Sequence, residues 1–225
     1  MAEIYHALNR SMDKRKIFLD KQDHFRFIHD LFEFNDQKPV ETSFYHFQKA
    51  QNNDLQGRYI REPRKLLVDI HAFCIMPNHY HLLLSPKIDN GISWFMQKLG
   101  AGYVKYFNKK YKRKGTIFEG RYKSIHIEKE AHFYHLPYYI HLNPLDIEFP
   151  EWREGRLKNY NKAMEFLNNY RWSSHLDYIG KKNFSSVTNR EFLLDVFGGE
   201  EKYAKSIEKW LNDLELNRVR DFILE

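Results

Sequence analysis

Two histidines separated by one residue, His79 and His81, lie within the stretch Met76-Pro77-Asn78-His79-Tyr80-His81-Leu82-Leu83-Leu84. An apolar run from Leu66 to Ile75 precedes it, and the Pro77-Asn78 pair between the two runs is turn chemistry. Two apolar runs about a tight turn predict a β-hairpin. Side chains alternate along a strand, so both imidazoles fall on one face of the second strand, while Tyr80, Leu82 and Leu84 point to the other. Two imidazoles on a rigid strand are half of a metal site. The same spacing also arises by chance on ordinary strands, so the rest of the chain must supply the other half.

A second constellation is Tyr138-Tyr139-Ile140-His141-Leu142-Asn143-Pro144. Tyr139 and Asn143 are four residues apart, hence neighbours on one face of a helix that Pro144 stops. If that face lies over the histidine strand, the Asn143 side-chain oxygen becomes a third ligand and Tyr139 meets the metal. Two imidazoles, an amide oxygen and no thiolate favour Mg²⁺ or Mn²⁺, although zinc also suits paired histidines. A neutral phenol, with a pKa of about 10, is a poor nucleophile. A neighbouring cation favours its phenolate and draws charge from a phosphate under attack. Attack on phosphorus would give a covalent phosphotyrosine that conserves the bond for rejoining, which is strand transfer and not hydrolysis. Tyrosines at helical spacing are also ordinary core residues, and both readings stand at this point.

Basic residues cluster in two places. Near the start are Arg10, Lys14, Arg15 and Lys16. From Lys105 to Lys123 come Lys105, Lys109, Lys110, Lys112, Arg113, Lys114, Arg121 and Lys123 against the one acid Glu119, interleaved with Tyr106, Tyr111, Phe118 and Tyr122. Cations at a helix C-terminus suit its dipole, but this many exceed capping. Cations mixed with stacking faces are the composition of a single-stranded nucleic-acid groove.

The elements that must position these residues follow from periodicity. Ile4 to Leu8 reads as a strand, and Asp20 or Asp23 caps a helix to about Phe34. Residues Asn35 to Lys65 are polar and aperiodic, an insertion or long loop with a basic end that includes Arg58 and Arg61. After the hairpin, Gly91 opens a long helix with a stripe from Ile92 to Phe107. Thr116 to Ile127 reads as a strand, and Glu130 to Asn143 contains a second helix. Helical patterns recur near 189–197 and 202–216. Antiparallel strands with helices gathered on one face predict an α+β sandwich.

With 225 residues, 42% hydrophobic and 16% aromatic, the chain can bury a substantial core and is not a disordered polypeptide. The single cysteine, Cys74, excludes an intramolecular disulfide and a cysteine-rich zinc site, and fits a reducing compartment as an inert buried thiol. No signal-peptide layout opens the chain, and no apolar run nears the roughly 18 residues that span a bilayer. A cytosolic protein is expected. The net charge of +6 leans toward a polyanionic partner.

The histidine stretch followed by Tyr139-Ile140-His141-Leu142-Asn143-Pro144 resembles the single-tyrosine transposases of the HUH endonuclease superfamily, and in detail their REP-associated branch. Asn9-Arg10 with Lys14 to Phe18, Phe118 to Ser124, Trp172-Ser173-Ser174 and Tyr178-Ile179-Gly180 extend the resemblance, in order, from about residue 4 to 180. It implies a ferredoxin-like antiparallel sheet carrying the histidine pair, in a catalytic domain over 1–150 (35–65 inserted) with a helical extension, 151–225, packed on it. It implies a metal-dependent enzyme of the prokaryotic cytoplasm, at the nucleoid, that cleaves single-stranded DNA near hairpins to leave a 5′-phosphotyrosine and a free 3′-OH. Tyr139 would be the nucleophile and His79, His81 and Asn143 the ligands of Mg²⁺ or Mn²⁺. The partners would be hairpin DNA and, as in some relatives, a second subunit. Two features depart from the pattern: the long 35–65 segment, and Leu136-Pro137, where either the proline removes a hydrogen bond inside the helix or the helix begins with Pro137 in its first turn, which makes Tyr138 or Tyr134 a rival for the nucleophile's role. The alternative is a DNA-binding module that keeps the fold without strand transfer. A third reading is a metal phosphodiesterase using water.

Overall fold

A computed structural model describes residues 3–39 and 63–213. Its strands are β1 (Tyr5–Arg10), β2 (Val68–Met76), β3 (His79–Pro86) and β4 (Lys123–His126), in one sheet of order β2-β3-β1-β4. Every pairing is antiparallel. With α1 (Lys21–Glu33) between β1 and β2 and α2 (Gly91–Lys110) between β3 and β4, the path is the expected ferredoxin-like α+β fold. The hairpin turns at Pro77-Asn78, with Met76 facing His79 across it.

Strand β2 shows how sequence pattern and register meet. The register shifts between Ile70 and Ala72, the mark of a β-bulge. Without it, strict alternation would send Phe73 and Ile75 to the opposite face from Val68 and Ile70. With it, all four join one core with Ala7, Tyr80, Leu82, Leu84 and the apolar stripes of α1 and α2. The bulged residue, His71, is buried with Nε2 at 2.8 Å from Ser85 Oγ.

Both expected caps operate on α1: Asp20 accepts from the Asp23 backbone N–H, and Asp23 accepts from those of Leu19 and Asp20. Two glycines fit α2 into place. The Leu67 carbonyl sits where a Cβ on Gly91 would lie, and the Phe34 ring does the same at Gly102.

Helices do not gather on one face. The other face of the sheet (Ile4, Ala72, Cys74, Met76, Leu83) is covered by α3 (Glu130–Leu142) and, behind it, α4 (Tyr160–Asn169), α5 (His175–Tyr178), α6 (Glu191–Phe197) and α7 (Glu200–Asp213). Both faces of β2 and β3 are apolar enough to require cover, so the C-terminal helices complete a second core. Residues Trp172 to Ser174 run along the outer edge of β2, with Ile75 N–H donating to the Trp172 carbonyl at 2.9 Å and Ser174 N–H to that of Phe73 at 3.0 Å, which closes that edge against further pairing.

Two other expectations change. The strand foreseen over 116–127 is confined to β4; residues before it run irregularly beside β1, with Met12 N–H donating to the Ile117 carbonyl and Glu119 N–H to that of Arg10. The segment from 35 to 65 falls largely outside the described residues. Its two ends are pinned together: the Asn35 side chain bonds both Leu67 and Val68, and Gln37 N–H donates to the Lys65 carbonyl.

Candidate active site

His79 and His81 share one face of β3, their ring centroids 5.0 Å apart, and both are buried. Each ring is steered through Nδ1. That of His79 lies 2.7 Å from Asn78 Oδ1, an acceptor, so Nδ1 carries the proton and Nε2 is the basic nitrogen. That of His81 lies 2.9 Å from Nε2 of His6, on the neighbouring β1. Anchoring one ring nitrogen while the other ligates is how an outer group fixes a metal-binding imidazole.

α3 runs from Glu130 with Pro137 inside it, so the helix does not begin at the proline. Pro137 removes a hydrogen bond there, but the helix lies against the sheet and its packing holds it. The continuous helix gives the three tyrosines different surroundings. Tyr134 is 41% exposed. Tyr138 packs against Phe197, Tyr203 and Trp210, away from the histidines, and burial pushes its hydroxyl up to about 12. Tyr139 faces the histidines, its ring edge-on to His81 with centroids 5.9 Å apart and to His6 at 6.4 Å.

Asn143, at the end of α3, is wholly buried. Its Nδ2 donates to the Tyr139 carbonyl at 2.9 Å, which turns Oδ1 the other way, toward Arg153. Arg153 lies in the second of two short 3-10 turns, Asn143–Ile147 and Pro150–Glu154. Its Nη2 donates to Asn143 Oδ1 at 3.0 Å and its Nη1 to the Tyr139 hydroxyl at 3.3 Å. Asp146 grips the guanidinium from behind through Nε at 2.7 Å and Nη2 at 2.6 Å, and also accepts from Trp152 Nε1.

Among the described residues no three His, Cys, Asp or Glu side chains gather as a metal site. The donor set here is two imidazoles and an amide oxygen; the steering of His79 leaves Nε2 basic for a divalent cation, and that of His81 does the same in the tautomer whose Nδ1 donates to His6 Nε2. The Arg153 guanidinium on Asn143 Oδ1 is the one element of the set that opposes it, since two cations then share a neighbourhood.

The expected nucleic-acid residues divide. Lys110 is tied to Asp20 and Asp23 at 2.7 Å each, and its pKa is raised although burial alone would lower it. Its place is the α1–α2 junction, so it is withdrawn from the DNA-contacting set. Lys14, Arg15, Lys109, Lys112, Arg113, Lys114, Arg121 and Lys123 are exposed. Arg15 reaches Asp13 at 3.3 Å, a surface pair of small energetic weight. Arg10 lies on the histidine face, opposite His79 across β1 and β3, and its Nε is buried without a hydrogen-bond partner among the described residues. The backbone gathers several of these cations. Ser11 N–H donates to the Asn78 carbonyl and Ile17 N–H to that of Pro77, so the Lys14–Lys16 loop wraps the hairpin turn beside His79. The 117–119 segment, flanked by Lys114 and Arg121, lies against it through Met12 and Arg10.

Two open cavities lie away from the histidines. One of about 1020 Å³ between α2 and β4 is lined by residues including Asn9, Gln97, Lys105, Phe118, Arg121 and Tyr122. The other, about 700 Å³, shares Ser93, Tyr122 and Ser124 with it. His81, Tyr139 and Asn143 are themselves closed to solvent, and His79 is 6% exposed.

Sequence reasoning missed His6, Asp146 and Arg153. A histidine in the buried alternation of β1 could have flagged His6; nothing local points from Arg153 to a tyrosine 14 residues earlier.

A four-stranded antiparallel ferredoxin-like sheet, with His79 and His81 on the face that the Tyr139-bearing helix covers, defines an α+β protein. The model of the family described as Transposase IS200 like matches residues 45–143, a span that holds His79, His81 and Tyr139 and ends on Asn143. Nothing among the curated proteins matches it. Among solved structures, a REP-associated tyrosine transposase bound to a REP hairpin aligns over 80% of this chain and 79% of that one, with a TM-score of 0.48 and 13% identity, a likeness too loose to carry a functional argument. No described helix is long and apolar enough to cross a membrane.

Proposed function

We propose that this chain is a transposase-type DNA strand transferase that cuts single-stranded DNA near a hairpin by attack of Tyr139. The observation that carries the reading is that, of the three candidate tyrosines, Tyr139 is the one whose ring meets His81 and His6, with its hydroxyl held by Arg153. In the step itself the Tyr139 oxygen forms a bond to phosphorus. The bond from phosphorus to the 3′ oxygen breaks, and that oxygen leaves with the electron pair and takes up a proton in balance with the one the phenol loses. A 5′-phosphotyrosine and a free 3′-OH result, and the reverse attack rejoins strands.

His79, His81 and Asn143 would hold Mg²⁺ or Mn²⁺, which when bound draws charge from the phosphate and favours the phenolate. The remaining work falls to the chain. His6 and Asn78 orient the imidazoles. Arg10, beside His79 with an unpartnered Nε, suits a phosphate oxygen. The exposed cations around the Pro77-Asn78 turn and at 112–123 line the strand's approach from the His79 end, with Tyr122 as a stacking face.

A second reading, a DNA-binding module without strand transfer, is favoured by two observations: Tyr139 is shut away from solvent, and the Asn143 oxygen is already engaged by Arg153. Incubation with hairpin-bearing single strands from the DNA flanking the gene, in Mg²⁺ or Mn²⁺, separates the two. The strand-transferase reading expects a covalent adduct on a denaturing gel, lost in Tyr139→Phe and in His81→Ala. Tight binding with no adduct on any such strand selects the module. Turnover that survives Tyr139→Phe but not His81→Ala selects a water-using phosphodiesterase.

A further inference from the structure

We infer that Arg153 is the positioning residue of the nucleophile: one guanidinium, clamped by Asp146, fixes both the Tyr139 hydroxyl and the Asn143 side-chain oxygen. The inference rests on the strand-transfer reading above. Ring packing against His6 and His81 limits how the Tyr139 ring lies but leaves its hydroxyl undirected. Directed contacts reach both functional oxygens from one planar group, 3.3 Å from one and 3.0 Å from the other. That group is rigidly mounted. Two of its nitrogens bond Asp146, the same carboxylate accepts from the buried Trp152 indole, and the guanidinium lies 5.1 Å over the Trp152 ring. Arginine suits the task because its donors leave in a fixed planar fork and its charge persists at every working pH. Lysine, a point charge on a flexible stem, could reach one of the oxygens but not orient both.

The Asp146–Arg153 pair is about one quarter exposed on each side, so its ion pair alone adds little to stability. Replacing Arg153 should therefore leave a folded protein in which the nucleophile is aimed less well. A misplacement of the nucleophile by about an ångström lowers a chemical step by roughly 10²-fold.

The test uses the full chain and the hairpin strand on which the wild type forms its adduct. Arg153→Ala is expected to slow single-turnover adduct formation by roughly 10²-fold while the dissociation constant for the strand changes far less. Added ethylguanidinium should restore part of the rate, and ethylammonium should not. Arg153→Lys should remain slow, and Asp146→Asn should fall between it and the wild type. A wild-type rate in Arg153→Ala, or a loss that tracks strand affinity and that ethylguanidinium leaves untouched, overturns the inference. Absence of any adduct from the wild type overturns the strand-transfer reading instead. The clamp is then decided by 19F NMR of 3-fluorotyrosine placed at position 139. A single resonance that shifts or splits in Arg153→Ala supports it, and identical spectra overturn it.

Discussion

Acid should loosen this protein well before its carboxylates protonate, and His175 gives the size of the effect. Its imidazole is fully buried on α5, with Nε2 at 3.1 Å from Asn168 Oδ1 and Nδ1 without a partner among the described residues. Burial, and after it the charge of Lys181, pushes it down to about 3. In the unfolded chain the same group titrates near 6.5. Above that pH both states carry it neutral and it adds no pH dependence. Below, the unfolded chain takes up a proton that the folded chain refuses, so stability falls by about 1.4 kcal/mol per pH unit until the pH nears the folded value. Across the window from 6.5 to about 3 the total is roughly 3.5 × 1.4, or about 5 kcal/mol, comparable to the whole stability of a small domain. His141, His71 and His24 are lowered as well, each mainly by burial, so the wild type should fall more steeply than one histidine requires. His175→Gln isolates the share. Urea unfolding followed by tryptophan fluorescence at pH values from about 7.5 to about 4.5 should show the variant weaker at neutral pH. The gap to the wild type should then close by about 1.4 kcal/mol per unit below about 6.5. The carboxylates do not confuse the reading: Asp20 is lowered by its bond to Lys110, and Asp23 is lowered because its bonds to Lys110 and Tyr111 outweigh burial. Both therefore hold their stabilisation above the ordinary carboxylate range. Parallel curves for wild type and His175→Gln across that window would refute the argument.

Lys110→Met should cost about 3 kcal/mol in the same unfolding assay, because it strips the ammonium from Asp23, whose side chain is 0% exposed. The substitution should leave single-strand affinity within a few-fold, whereas Lys114→Ala and Arg121→Ala should weaken it and each lower the salt slope by about 0.7. An affinity loss confined to Lys110→Met would reverse the assignment of the basic residues. Gly102→Ala should cost roughly 1–3 kcal/mol, since the added methyl meets the Phe34 ring where α1 and α2 join; a neutral effect would show that this packing yields.

The chain's local patterns determined a good deal alone. Alternation placed His79 and His81 on one face and Tyr80 on the other, because a strand's side chains have a period of two. The Asp20/Asp23 capping box and the long stripe of α2 located two helices for equally local reasons. Contacts distant in sequence were decided by the fold. The bulge at His71 had to be seen to know that Val68, Ile70, Phe73 and Ile75 share one face. Lys110 looked like one more cation of a basic run until α1 brought Asp20 and Asp23 to it. Pro137 suggested a helix start, since propensity discourages proline within a helix; packing against the sheet overrode it and set Tyr139, not Tyr138, against His81. The C-terminal helices read as an appendage because each stripe is only half a core. Their burial on the histidine face brought in the turn that carries Arg153, and proximity of that kind depends on chain folding, with no trace in residue spacing.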